Sequence, residues 1–249
     1  MPPFGADWAF FLDIDGTLLE IEGHPDDVHI GRAELDLLGG LQHASGGAVA
    51  LISGRPLAFI DALFHPLKLP SAGQHGAEWR DAAGKRHRHR FRAEALRRAA
   101  APVRRFAARH EGLVFEDKGA SVALHYRLAP DLAGEAEAVV RAAANDGGGA
   151  IELQHGKMVL ELKPAGCDKG KAIEQFLREA PFAGRVPVFL GDDVTDEFGF
   201  RMVNGLGGHS IKVGPGPTEA RYRVENPAAA KAWLAAWTER VGYRFAGER

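Results

Sequence analysis

The sequence predicts an α/β protein: a doubly wound parallel-sheet core with an inserted α+β cap domain. Three observations lead there. Short unbroken apolar runs stop at acidic, serine or glycine residues. Helical patterns separate those runs. One stretch in the middle follows a different order of elements. The apolar runs are residues 9–12, closing on Asp13; 48–52, closing on Ser53-Gly54-Arg55-Pro56; 188–190, closing on Gly191-Asp192-Asp193; and the weaker 211–213. A strand buried on both faces of a parallel sheet reads as such a run. Helical patterns cover 31–43, 56–64, 169–179, 196–203 and 228–241. Strands alternating with helices predict a doubly wound sheet.

The middle of the chain reads differently. Residues 91–110 form a basic, alanine-rich helical pattern, followed by strand patterns at 113–118 and 121–127 around Gly119. A helix over 131–145 ends at three glycines, 147–149, and strands 150–154 and 157–163 follow, joined by His155-Gly156. The order α-β-β-α-β-β predicts a small antiparallel sheet backed by two helices. The expected division is a core of residues 1–90 and 164–249, with a cap of residues 91–163.

Composition limits the function classes. Of 249 residues, 45% are apolar and 26% charged, enough for a large core and too apolar for a disordered chain. A net charge of −2 lacks the basic excess of a nucleic-acid binder. The single cysteine, Cys167, excludes an intrachain disulfide and four-cysteine zinc sites and suits a reducing compartment. The 11 histidines do not fall at zinc-ligand spacing. No run approaches the ~18 apolar residues of a membrane helix, and the first 11 residues do not read as a secretory signal. A cytoplasmic monomer is the expectation, with no membrane and no nucleic acid as partner. The basic run 85–92 is expected to be an exposed strand leading to the cap.

Ligands of open parallel sheets bind beyond the carboxyl ends of the strands. Asp13 and Asp15, Ser53, and Asp192 and Asp193 all fall there. Each has a structural explanation when taken singly. Asp15-Gly16 is a turn pair, Ser53–Pro56 a strand-to-helix turn, and Asp192–Glu197 an acidic helix start. Three such ends in order predict one acidic pocket instead. Converging carboxylates repel unless a cation sits between them, and oxygen-only ligands suit Mg²⁺. One carboxylate could attack phosphorus, a second two residues on could move the proton, and a hydroxyl, N–H groups and a lysine near a helix start would hold the phosphoryl oxygens.

These residues resemble the haloacid dehalogenase superfamily. Asp13-Ile14-Asp15-Gly16-Thr17-Leu18 matches its first motif, Ser53-Gly54-Arg55 the second, Lys169 the third and Gly191-Asp192-Asp193-Val194-Thr195-Asp196 the fourth. Within it, the chain is most similar to the trehalose-6-phosphate phosphatases. That likeness lies in Gly73-Gln74-His75-Gly76-Ala77-Glu78, Glu116-Asp117-Lys118, His125-Tyr126-Arg127, Lys157 with Glu161 and Pro164, and the run continuing to Glu197. It spans residues 10 to about 234. Gln74 departs from the expected histidine or asparagine. The resemblance implies Asp13 as nucleophile and Asp15 as general acid/base. It implies Mg²⁺ on Asp13, the Asp15 carbonyl and Asp192, with the phosphoryl group on Ser53 and Lys169. Asp193 and Asp196 would orient metal waters or Lys169. Gly54, Arg55 and His75 are further expected substrate contacts.

Alternation gives the cap sheet a polar side bearing Glu116, Lys118, His125, Arg127, Lys157 and Glu161. An ion-paired, solvated face would show the same pattern. Beside a phosphate pocket, such a face could instead hydrogen-bond the hydroxyls of a disaccharide. The expected activity is hydrolysis of trehalose 6-phosphate. The alternatives are another sugar phosphate (sucrose phosphate, mannosyl-phosphoglycerate), a sugar phosphomutase or phosphotransferase, or a non-catalytic binder.

Overall fold

A computed structural model describes residues 1–21, 28–89, 93–156 and 158–242. The chain runs β1 (Trp8–Leu12), α1 (Arg32–Ala44), β2 (Val49–Ile52), α2 (Leu57–Leu63), β3 (Ser71–Gly73), β4 (Glu78–Arg80) and β5 (Arg86–Arg88). It continues through α3 (Ala93–Ala107), β6 (Val114–Asp117), β7 (Val122–His125), α4 (Ala133–Asp146), β8 (Ile151–Gly156) and β9 (Val159–Pro164). It returns with α5 (Lys169–Phe176), β10 (Val186–Gly191), α6 (Glu197–Gly205), β11 (His209–Val213), β12 (Tyr222–Val224) and α7 (Pro227–Arg240). Two compact units result: residues 1–87 with 168–249, and residues 88–167.

In the first unit, among the described residues, one sheet has the order β12-β11-β10-β1-β2-β3-β4-β5. The pairings from β12 to β3 are parallel, and β4 turns back antiparallel on β3. Alternate residues of the apolar runs enter two different cores. Phe10, Leu12, Val49, Leu51, Val188 and Leu190 pack with Leu38 and Leu41 of α1 and Leu234 and Trp237 of α7. Ala9, Phe11, Ala50, Ile52 and Phe189 pack on the other face with Ile173 and Phe176 of α5 and Phe200 and Val203 of α6. A strand covered on both faces has no polar position to spare, which is why these runs are unbroken. The doubly wound sheet is therefore as the sequence predicts.

β3, β4 and β12 were not predicted, whereas β5 is the exposed strand expected in the basic run. β3 and β4 each have three residues, too few for a period to show. β5 lies in the basic run; Arg86 and Arg88 are exposed on an edge strand, and residues 90–92 of that run lie outside the described residues. Charged edge strands resist pairing with other chains.

In the second unit, β6-β7-β9-β8 form an antiparallel sheet. Val122, Leu124, Leu160 and Leu162 pack against Leu96 and Val103 of α3 and Val140 of α4. Two expected boundaries move. β8 runs on through His155-Gly156, so these two residues belong to the strand rather than to the turn. β7 stops at His125, so Arg127 lies in an exposed turn and not on the strand face.

Candidate active site

Asp13 follows β1 directly, and its N–H donates to the Leu190 carbonyl of the neighbouring β10 (3.0 Å). Asp192 follows β10. Parallel pairing, Leu12 against Leu190, places the two acids at the same end of the sheet. Gly16 turns the chain with φ +79°, and a Cβ there would lie 2.2 Å from an Asp192 carboxylate oxygen. Only glycine allows this approach. Carboxylate oxygens of Asp13, Asp192 and Asp196 all lie within 4.8 Å of one another.

Lys169 supplies the cation of this cluster. It opens α5, which Asp168 caps by accepting from the Lys171 N–H (2.8 Å). Its Nζ donates to Asp13 Oδ1 (2.7 Å) and Asp196 Oδ1 (2.6 Å), and it is only 3% exposed. Thr17 Oγ1 donates to Asp13 Oδ2 (3.2 Å). The second oxygen of Asp196 accepts the N–H groups of Asp192 (3.0 Å) and Asp193 (2.9 Å). Lys212 Nζ donates to the Asp192 main-chain carbonyl. Asp193, expected to orient metal waters or Lys169, has its Oδ1 accepting from the Val194 N–H (2.7 Å) and capping the following turn.

The charges do not balance locally. Burial pushes the Asp13 carboxyl well above its usual range; Lys169 opposes this, while Asp196 and Asp192 add to it. Burial and the Asp196 charge push Asp192 up to about 6, against the pull of Lys169. Burial disfavours the Lys169 ammonium, but Asp13 and Asp196 outweigh it and hold the proton more tightly than usual. An acidic cluster with surplus negative charge and oxygen ligands fits a divalent cation such as Mg²⁺. Both oxygens of Asp196 already serve Lys169 and two N–H groups. Asp13 accepts only from Lys169 and, at 3.2 Å, from Thr17, so Asp13 and Asp192 are the more available carboxylate ligands.

The second motif is organised around Arg55. Its guanidinium grips Asp15 at two points, Nε to Oδ2 (2.6 Å) and NH2 to Oδ1 (2.7 Å), and lies over the Phe59 ring. Ser53 is buried, and its Oγ accepts from the Arg55 N–H (3.1 Å). His75, in a left-handed conformation at φ +55°, sits so close that a Cβ on Gly54 would lie 2.7 Å from its Nε2.

On the second unit's sheet, Glu116, Ala123, Glu161 and Gln154 lie in one row across the strands. His125 shares their face and meets Glu116 (2.8 Å), and Lys118 Nζ donates to Glu161 (3.3 Å). Burial works against the Glu116 charge, but His125 and Lys118 hold its carboxyl below the ordinary value. Four of the expected polar residues are thus brought together. Arg127 lies beyond the strand, and Lys157 lies outside the described residues.

Three contributing residues carried no role in the sequence reading: Thr17, Lys212 and Glu78. Lys212 had a legible signal, since a lysine between Ile211 and Val213 in a core strand is seldom buried unpaired.

The model of the trehalose-phosphatase family matches residues 11–228 of this chain. The chain belongs to the trehalose-phosphatase family. It is 45% identical over 237 residues to trehalose-6-phosphate phosphatase of Escherichia coli K12, covering 94% of this chain and 87% of that protein. It is 46% identical over 225 residues to a probable trehalose-phosphate phosphatase of Sinorhizobium fredii, covering 90% and 84%. A crystal structure described as a trehalose-6-phosphate phosphatase related protein superposes with a TM-score of 0.77 at 27% identity, covering 93% of this chain and 97% of that one. Family membership agrees with the doubly wound core, with the three motifs at its strand ends and with Lys169 at the start of α5.

Proposed function

We propose that this chain hydrolyses trehalose 6-phosphate to trehalose and inorganic phosphate through an aspartyl-phosphate intermediate. The observation that carries the chemistry is the grip of Lys169 on Asp13 beside Asp192, at the carboxyl end of β1 and β10. A member of the trehalose-phosphatase family with this cluster has the groups that phosphoryl transfer needs.

In the first step, an Asp13 carboxylate oxygen forms a bond to phosphorus as the bond from phosphorus to the sugar oxygen breaks. Asp15 gives its proton to that leaving oxygen. Asp15 then takes a proton from water, whose oxygen attacks phosphorus and frees Asp13 and phosphate. Lys169 and Ser53 hold the phosphoryl oxygens, and Asp196 keeps Lys169 aimed through its 2.6 Å bond. Asp13, Asp192 and the Asp15 carbonyl would hold Mg²⁺. Bound there, the ion offsets the carboxylate charge and polarises the phosphoryl oxygens. Gly54, Arg55 and His75 belong to the phosphate side of the substrate. Glu116, Lys118, His125, Arg127, Lys157 and Glu161 are assigned to the sugar hydroxyls, since charge-assisted hydrogen bonds suit such groups. Residues 91–163 are assigned to substrate recognition. A lone, buried Cys167 suits the reducing cytoplasm.

Phosphate release from a panel of sugar phosphates tests this reading, with sucrose phosphate and mannosyl-phosphoglycerate beside trehalose 6-phosphate. Trehalose 6-phosphate is expected to have the highest kcat/KM, and preference for another member overturns the substrate assignment. Oxygen from labelled water should appear in the released phosphate; its absence would indicate transfer to a sugar.

A further inference from the structure

A buried acid outside the reacting groups joins two loops of the site. Glu78 opens β4 and is 9% exposed. Its Oε1 accepts from the Leu57 N–H (2.8 Å), at the start of α2, and from the Gln74 side-chain amide (3.1 Å). Leu57 lies 21 residues earlier in the chain. The bond therefore fastens the turn between β3 and β4 to the loop that follows β2.

Two main-chain bonds run alongside it. The Gln74 N–H donates to the Arg55 carbonyl (3.0 Å) and the His75 N–H to the Ser53 carbonyl (3.0 Å). With these bonds Gln74 and His75 adopt φ +48° and +55°, a left-handed conformation that is costly for non-glycine residues. The backbones also approach closely, since a Cβ on Gly73 would meet the Arg55 carbonyl oxygen at 2.7 Å and the Leu57 nitrogen at 2.9 Å. Such a turn persists only where its surroundings over-determine it. The Glu78 carboxylate is one such determinant: it holds the Gln74 side chain and the far end of the Ser53–Leu57 loop at one point. The loop held in this way carries Arg55, whose two bonds orient the Asp15 carboxyl.

We propose that Glu78 is a positioning residue for proton transfer: by tying Leu57 and Gln74 together it fixes the loop that carries Arg55, and through Arg55 it aims Asp15 at the leaving oxygen. This rests on the reading of Asp15 as the general acid. It goes beyond that reading by assigning control of the acid's aim to a residue that touches neither substrate nor phosphate.

The test separates aim from folding by the leaving group. A sugar alkoxide needs a proton as it leaves, whereas a nitrophenolate leaves without one. Formation of the aspartyl phosphate is followed in rapid-quench experiments with trehalose 6-phosphate and with p-nitrophenyl phosphate. General acids typically contribute about 10²–10⁴-fold, so Glu78→Ala is expected to slow trehalose 6-phosphate cleavage by about tenfold or more and the nitrophenol burst by less than about threefold. Glu78→Gln keeps an acceptor oxygen and should restore most of the trehalose 6-phosphate rate. If the alanine variant does not fold, Glu78→Asp, one methylene shorter, should give the same selective loss. An equal loss on both substrates, or no loss on either, overturns the proposal. A wild-type enzyme inactive on trehalose 6-phosphate would overturn the substrate reading alone, and the comparison is then made with the sugar phosphate it does cleave.

Discussion

The two clusters of charged residues are built on opposite principles. Around Lys169, the Asp13, Asp192 and Asp196 carboxylates crowd together, and two of them are pushed above their ordinary range. On the sheet of residues 88–167, acids and bases pair: Glu116 with His125 and Glu161 with Lys118. There the Glu116 carboxyl falls below its ordinary value. Unbalanced charge at strand ends marks a place where a cation and an anionic substrate would lower the energy. Paired charge on a sheet face is comfortable as it stands, so a ligand binds there only by taking over hydrogen bonds already made. The first arrangement is suited to chemistry and the second to discrimination.

That contrast can be broken at either end. The largest effect is expected from Asp13→Asn, which leaves Lys169 its partner in shape but removes the proposed nucleophile and one proposed anionic metal ligand. Turnover should fall by roughly 10³-fold or more. Retention of more than a few per cent of activity, with deamidation excluded by mass spectrometry, would refute the nucleophile assignment.

On the paired face, Glu161→Ala should cost about 1.5–3 kcal/mol of binding energy for the disaccharide, or roughly 10- to 150-fold in kcat/KM for trehalose 6-phosphate. With p-nitrophenyl phosphate, kcat/KM should change little. Near wild-type kinetics on both substrates would mean that the pairs serve only the sheet itself.

The smallest effect sharpens the contrast through pH. Asp192 has its carboxyl raised from 3.8 to about 6. A raised acid stabilises the metal-free fold below its unfolded pKa and loses that contribution as pH rises through the folded one. The window is therefore about 4 to 6. Above it the ionised cluster favours Mg²⁺, and below it protons compete. The Tm increase caused by Mg²⁺ should be larger at pH 7.5 than at pH 5, and equal increases at both would show that Asp192 does not sense the ion.

The sequence by itself determined the core strands and the acids that follow them. β1, β2 and β10 were legible because burial on both faces demands unbroken apolar residues, and a chemical group can appear only where such a run ends. Asp13, Asp15, Ser53 and Asp192 were legible for the same reason, and Lys169 as a lysine at a helix start, all sharpened by the resemblance of their motifs. The hydrophobic alternation of β7 and β9 likewise fixed which face of their sheet is polar. The three-residue strands β3, β4 and β12 were not legible, since their place comes from hydrogen bonds to neighbours rather than from a pattern of their own. Only the tertiary structure decided that Arg55 would grip Asp15, 40 residues away, that Lys212 would reach the Asp192 carbonyl, and that Glu78 would join Leu57 to Gln74. Local sequence sets which residues can be buried and where the chain must turn. Hydrogen-bond partners across tens of residues are chosen by packing, because each buried donor and acceptor must be satisfied by whatever the fold brings within reach.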